Sequence, residues 1–65
     1  MKINTKRIKT EMANQRLSCA ELAEKSGLIR QSISTILKRG TCNYSTAGKV
    51  ADALKIDVSE IMEDD

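Results

Sequence analysis

Apolar positions recur every three to four residues along most of this chain, the period of helices with one buried face. Ile8 and Met12 form an i, i+4 pair, with Ala13 beside them, while Lys6, Lys9, Thr10 and Asn14 take the opposite side. This predicts a first helix capped by Asn4 or Thr5 and running to about Arg16, with Leu17 closing the link to the next. Ser18 and Glu21 have the spacing of a capping box, and Leu22 and Ala23 turn inward behind it. Gly27 ends that second helix in the left-handed conformation that glycine adopts without a Cβ clash, and Leu28 plugs the turn. Ile33, Ile36 and Leu37 are the inner stripe of a third helix, from Ile29 or Arg30 to Lys38 or Arg39. Asn43 caps a fourth, with Thr46 at its third position and Ala47, Val50, Ala51 and Leu54 inside. Tyr44 is expected to pack its ring inward, with the alternative that its hydroxyl binds a phosphate. Asp57 with Glu60 opens a fifth short helix in which Val58, Ile61 and Met62 complete the core.

The pattern is that of an all-α, compact five-helix bundle, a single domain over residues 1–65. Residues 1–4 are expected as a short mobile arm, and Glu63, Asp64 and Asp65 as an acidic tail that frays. Gly48 interrupts the fourth helix at a cost near 1 kcal/mol, for which close packing against a neighbour is the expected reason.

The stretch Leu17 to Gly40 organises the rest. Its second half has an apolar back and a front of Arg30, Gln31, Ser34, Thr35 and Lys38, side chains suited to base edges and neighbouring phosphates. Leu17-Ser18, Ala20-Glu21-Leu22-Ala23, Gly27-Leu28 and Ser32-Ile33-Ser34 with Ile36 follow one another in a fixed order. Ala51, Ala53-Leu54, Ile56, Val58 and Glu60-Ile61 close the series. In this ordered set the chain resembles helix-turn-helix proteins of the Cro-repressor type, the XRE family, over roughly residues 5 to 62.

The resemblance implies a lambda-repressor-like domain with its helix-turn-helix at about 18–39. The helix at about 30–39 would be the recognition helix in the major groove of double-stranded DNA, and the chain a small bacterial or phage transcriptional regulator or repressor. Arg30, Gln31, Ser34 and Thr35 would then occupy base-reading positions, with Gln31 the candidate for a two-pronged contact to adenine and Arg30 for guanine or phosphate. Ser18 and Cys19 would offer backbone amides to a phosphate, and Lys38, Arg39 and Thr41 would bind others. Relatives bind palindromic sites as dimers, which implies a homodimer, at least on DNA; Ile56, Val58 and Met62 are candidates for an apolar edge. The competing reading is a protein-interaction module, such as an antirepressor or toxin partner, built on the same fold.

Four departures from the family pattern stand out. Many members place an arginine at the position of Met12 and a glutamate at that of Leu37, paired inside the fold. Losing one charge alone would cost about 3–5 kcal/mol, whereas exchanging both for apolar residues is often neutral, so Met12 and Leu37 are expected to meet in the core. Ile29 stands where Ser, Thr or Asn caps the recognition helix, giving up about 1 kcal/mol; it is read mainly as a tolerated poor cap, with contact to a thymine methyl as the alternative. Arg39 replaces an earlier glycine, so the helix runs on towards Gly40 and shifts the phosphate loop. Cys19 replaces a glutamine that reaches DNA in relatives.

Composition narrows the function classes. Glu63, Asp64 and Asp65 hold three of the nine acidic residues, leaving residues 1–62 with 11 basic against 6 acidic, a balance of +5. Lys2, Lys6, Arg7 and Lys9 cluster early and Arg30, Lys38 and Arg39 late, which accords with a nucleic-acid partner. Histidine is absent, and Cys19 and Cys42 have no metal-ligand spacing, so neither metal nor cofactor is expected. With its three glycines scattered, the chain also has no phosphate-cradling loop, and enzymatic activity is not expected. The two thiols are expected to be unpaired in a cytoplasmic protein, close enough to phosphate for oxidation to impair binding. No run is long enough to span a membrane and Met1-Lys2-Ile3 does not open a signal peptide, so the expected location is the cytoplasm.

Overall fold

In the computed structural model, which describes residues 1–63, three of the four α-helices begin at a side chain that accepts a hydrogen bond from the first turn. The Asn4 Oδ1 accepts from the Arg7 N–H at 3.0 Å and opens α1, Thr5–Gln15. At α2, Cys19–Ser26, the Ser18 Oγ accepts from the Glu21 N–H and the Glu21 Oε1 from the Ser18 N–H, both at 3.2 Å. The Asn43 Oδ1 accepts from the Thr46 N–H at 2.7 Å and opens α4, Tyr44–Leu54. The exception is α3, Arg30–Arg39, which starts at Ile29 without a side-chain cap. Gly27 and Gly40 end α2 and α3 at φ of 75° and 72°, the left-handed backbone that a Cβ disfavours.

The fifth helix is instead a single 3₁₀ turn, Val58–Glu60. Its capping box forms as the spacing predicts, with the Glu60 Oε2 accepting from the Asp57 N–H at 3.2 Å. Hydrogen bonds from Ser59 hold the Asp57 carboxyl below its ordinary value. Three residues are too few to propagate an α-helix, and the chain then leaves to pair with the N-terminal segment.

One aliphatic core joins these elements. It takes Ile8 and Met12 from α1, Leu22 and Ala23 from α2, Ile33 and Ile36 from α3, and Val50, Ala51, Ala53 and Leu54 from α4, with Ile61 beyond. Leu37 packs half-buried against this same cluster, so Met12 and Leu37 both serve the apolar interior. Ala13, offered as an inward position, faces solvent.

Residues 1–4 are not a free arm. Ile3 is buried, its N–H donates to the Gly40 carbonyl at 2.9 Å, and the Asn4 N–H donates to the Ile61 carbonyl at 2.6 Å. Lys2 bridges to Thr41 and Ile3 to Met62, both antiparallel, while the Cys42 and Glu63 N–H groups donate to the Met1 and Lys2 carbonyls at 3.1 Å. The segment is thus stitched between the loop after α3 and the segment after the 3₁₀ turn. Of the acidic tail expected to fray, Glu63 is held by its bond to Lys2, and Asp64 and Asp65 lie outside the described residues.

Two side chains expected in the core are outside it. Tyr44 is 74% exposed, and Met62 is 42% exposed. A helical side chain leans towards the helix N-terminus, so the ring of the first residue of α4 projects off the end of the helix. Met62 lies in the segment paired with Ile3, and Ile61 beside it fills the interior instead.

Gly48 also departs from expectation, because a Cβ built there meets nothing within 4 Å. No neighbour requires a glycine. Gly48→Ala is expected to stabilise the fold by about 1 kcal/mol, a rise in Tm of about 4–8 °C, by lowering the entropy of the unfolded chain. Thermal denaturation followed by circular dichroism checks this; an unchanged or lower Tm would reveal a constraint that the packing does not show.

Candidate nucleic-acid interface

The candidate surface begins with the way α3 is held. The Leu28 N–H donates to the Ala23 carbonyl at 2.9 Å across the turn at Gly27, which fixes the exit from α2. Ile33 and Ile36 then anchor α3 with 1% and 6% of their surface exposed. The helical period turns Arg30, Gln31, Ser34, Thr35, Lys38 and Arg39 outward, and all six are exposed.

An open groove of about 450 Å³ runs along one flank of this face. Gln31, Thr35 and Arg39 line it from α3, and Thr41, Cys42 and Asn43 from the loop leading into α4. Four of the expected site residues therefore share one concavity: Gln31, Thr35, Arg39 and Thr41. Arg30, Ser34 and Lys38 lie on the exposed face outside it, and Ser18 and Cys19 stand apart at the start of α2.

Hydrogen bonding restricts what several of these groups can offer. The Thr35 hydroxyl donates to the Gln31 carbonyl at 2.9 Å, so towards a ligand its oxygen can only accept and its methyl is the remaining contact. The Ser18 N–H is held by the Glu21 carboxylate, which also places a negative charge beside the proposed phosphate site. A phosphate there is left with the Ser18 hydroxyl, whose oxygen already accepts from Glu21, and the amide of Cys19. Arg7 leaves the early basic cluster altogether: its Nη2 pairs with the Glu60 Oε1 at 2.8 Å and the Glu11 Oε2 at 3.4 Å, tying α1 to the 3₁₀ turn.

The loop after α3 has tethers that sequence patterning does not imply. Its Gly40 carbonyl and Cys42 N–H both bond to the N-terminal segment, and Lys2 sits opposite Thr41. Sequence reasoning missed this tethering of the groove-lining loop by residues 1–3; an isoleucine at position 3, between Lys2 and Asn4, is the one sequence signal for it. Cys19 and Cys42 are free and half-buried. Burial pushes the Cys42 thiol above its ordinary value and keeps it protonated at neutral pH. Tyr44, next to Asn43 on the groove wall, places the chain's single aromatic side chain in solvent.

Taken together, these elements present an outward face of hydrogen-bonding and basic side chains beside a pinned loop. Among the described residues no helix is long and apolar enough to cross a membrane. A family model described as a Cro/C1-type HTH DNA-binding domain matches residues 7–65. No curated protein and no solved structure matches the chain.

Proposed function

Because the chain belongs to the Cro/C1-type helix-turn-helix DNA-binding family, we propose that it binds specific double-stranded DNA sequences in the cytoplasm as a small transcriptional regulator. In this reading α3 enters the major groove and α2 crosses the sugar-phosphate backbone above it. The observation that carries it is the division of α3 into a buried apolar side and an exposed side holding Arg30, Gln31, Ser34, Thr35 and Lys38.

Gln31 donates to and accepts from an adenine edge, and Arg30 reads guanine or grips a phosphate. Ser34 adds a short hydrogen-bonding contact, and Thr35 accepts a hydrogen bond or touches a methyl. Lys38, Arg39 and Thr41 hold the backbone, with the Ser18 hydroxyl and the Cys19 amide on the other side. The Tyr44 hydroxyl joins the phosphate contacts, a role its 74% exposure favours over packing. Two copies bind a palindromic site, joined along an edge that includes Ile56, Val58 and the exposed Met62.

Selection of random duplex DNA on the purified protein at moderate salt tests this. A motif should emerge, and Gln31→Ala and Arg30→Ala should each relax it at one or two positions, at about 1–3 kcal/mol apiece. If no sequence is enriched and no duplex is retained at low salt, the reading fails, and the same surface passes to a protein partner.

A further inference from the structure

The apolar side chain of Ile29 has no task in the fold. It occupies the cap position of α3, with φ −89° and ψ 154°, and makes no side-chain cap hydrogen bond. It is 65% exposed and stands outside the hydrophobic core. Nor does it act as a hydrophobic staple, which needs the residue before the cap to pack on the fourth residue of the helix. Those positions are Leu28 and Ile33, and both belong to the core or pack against it. A Ser, Thr or Asn at position 29 would cap the helix and remove an exposed apolar surface. The isoleucine therefore serves neither capping nor burial.

Its location supplies a use. Ile29 lines the groove beside Gln31 and Thr35. Thr35 has turned its hydroxyl hydrogen back onto the helix, so its methyl is uncommitted. The groove thus carries an aliphatic group on each side of Gln31 along the helix, Ile29 before it and the Thr35 methyl one turn after it. A matching group on a base edge must be apolar and must project into the major groove. Among the four bases only thymine carries one, its 5-methyl.

We propose that Ile29 is a specificity-determining residue that reads a thymine methyl, so that the operator contains a thymine required for its methyl and not for its pairing. This rests on the DNA-binding reading above, and the test separates the two. Each thymine of the selected duplex is replaced in turn by uracil, which removes the methyl and leaves the pairing edge intact. The native protein should lose affinity about fourfold at one thymine, the equivalent of one buried methylene-sized group. Ile29→Ser should bind the parent duplex and its uracil form equally, while melting at a higher temperature because the new hydroxyl caps α3. Ile29→Val, which keeps a branched aliphatic surface, should retain most of the discrimination. The inference is overturned if no single thymine matters to the native protein, or if Ile29→Ser keeps the same sensitivity. A protein that binds no duplex overturns the DNA-binding reading along with it.

Discussion

Raising salt from 50 to 200 mM should lower the affinity of this protein for its operator by about three orders of magnitude. The slope of log affinity on log salt is about −0.9 for each phosphate whose counterion is displaced. Arg30, Lys38 and Arg39 are exposed cations of α3, three for each copy. A single copy neutralising three phosphates would weaken about 40-fold over that interval, and a pair neutralising six about 2,000-fold. The steepness therefore reports stoichiometry as well as chemistry. Fluorescence anisotropy across a salt series measures it, with light scattering on the same complex as the independent count. A slope near −3 with a single bound copy would remove the dimer and leave the DNA reading intact. A flat response would argue against phosphate contacts altogether.

The second large effect concerns the scaffold. Leu22→Ala is expected to leave most of the chain unfolded at 37 °C, seen as loss of helical circular dichroism. Leu22 is fully buried in α2, the element that packs against both α3 and α4. Truncating a buried leucine costs about 2–5 kcal/mol. A domain of this size rarely has more than about 3–5 kcal/mol to lose. Ser34→Ala, on the exposed face of α3, should leave the spectrum and the melting temperature unchanged. A Leu22→Ala protein that melts like the native one would mean that the core relaxes into the cavity, and that helix-helix packing here is less specific than it looks.

Periodicity and caps were enough to place the helices because both signals are local. Asn4, Ser18 with Glu21, Asn43 and Asp57 with Glu60 all bond within three residues of themselves. Apart from Ala13, the inward positions on α1 to α4 follow from a 3.6-residue period that tertiary contacts did not override. What was not legible depends on the ends of elements and on pairing between distant segments. Tyr44 lies close to the inner stripe by angle, yet at the first residue of α4 its ring leans past the helix end, where no core remains to receive it. The same period places Gly48 on the flank of α4, where no neighbour comes close. The tethering of residues 1–4 uses backbone groups at isolated bridges, which leave no alternation for a sequence to display. Within the candidate interface, the exposed face of α3 could be read from side-chain type alone. The loss of the Ser18 amide was implicit in the capping box, but the turning of the Thr35 hydroxyl onto the Gln31 carbonyl could not be read, because it depends on a rotamer.

The stitching of residues 1–3 between two distant segments also bears on the order in which the protein becomes competent. A polypeptide leaves the ribosome from its amino end, so Lys2 and Ile3 emerge before either of their neighbours exists. The loop at Gly40 to Cys42 follows, and Ile61, whose carbonyl holds Asn4, comes nearly the whole length of the chain later. Closing so long a loop brings an entropic cost that no local contact offsets beforehand. The docking of the N-terminal segment against Ile61 and Met62 is therefore among the last parts to set. A nascent chain halted before Ile61 can already hold α2, α3 and the bonds from residues 1–3 to the loop, but the N-terminal segment is then held on one side only, without the Ile61 carbonyl that accepts from Asn4 and the bridge from Met62 to Ile3.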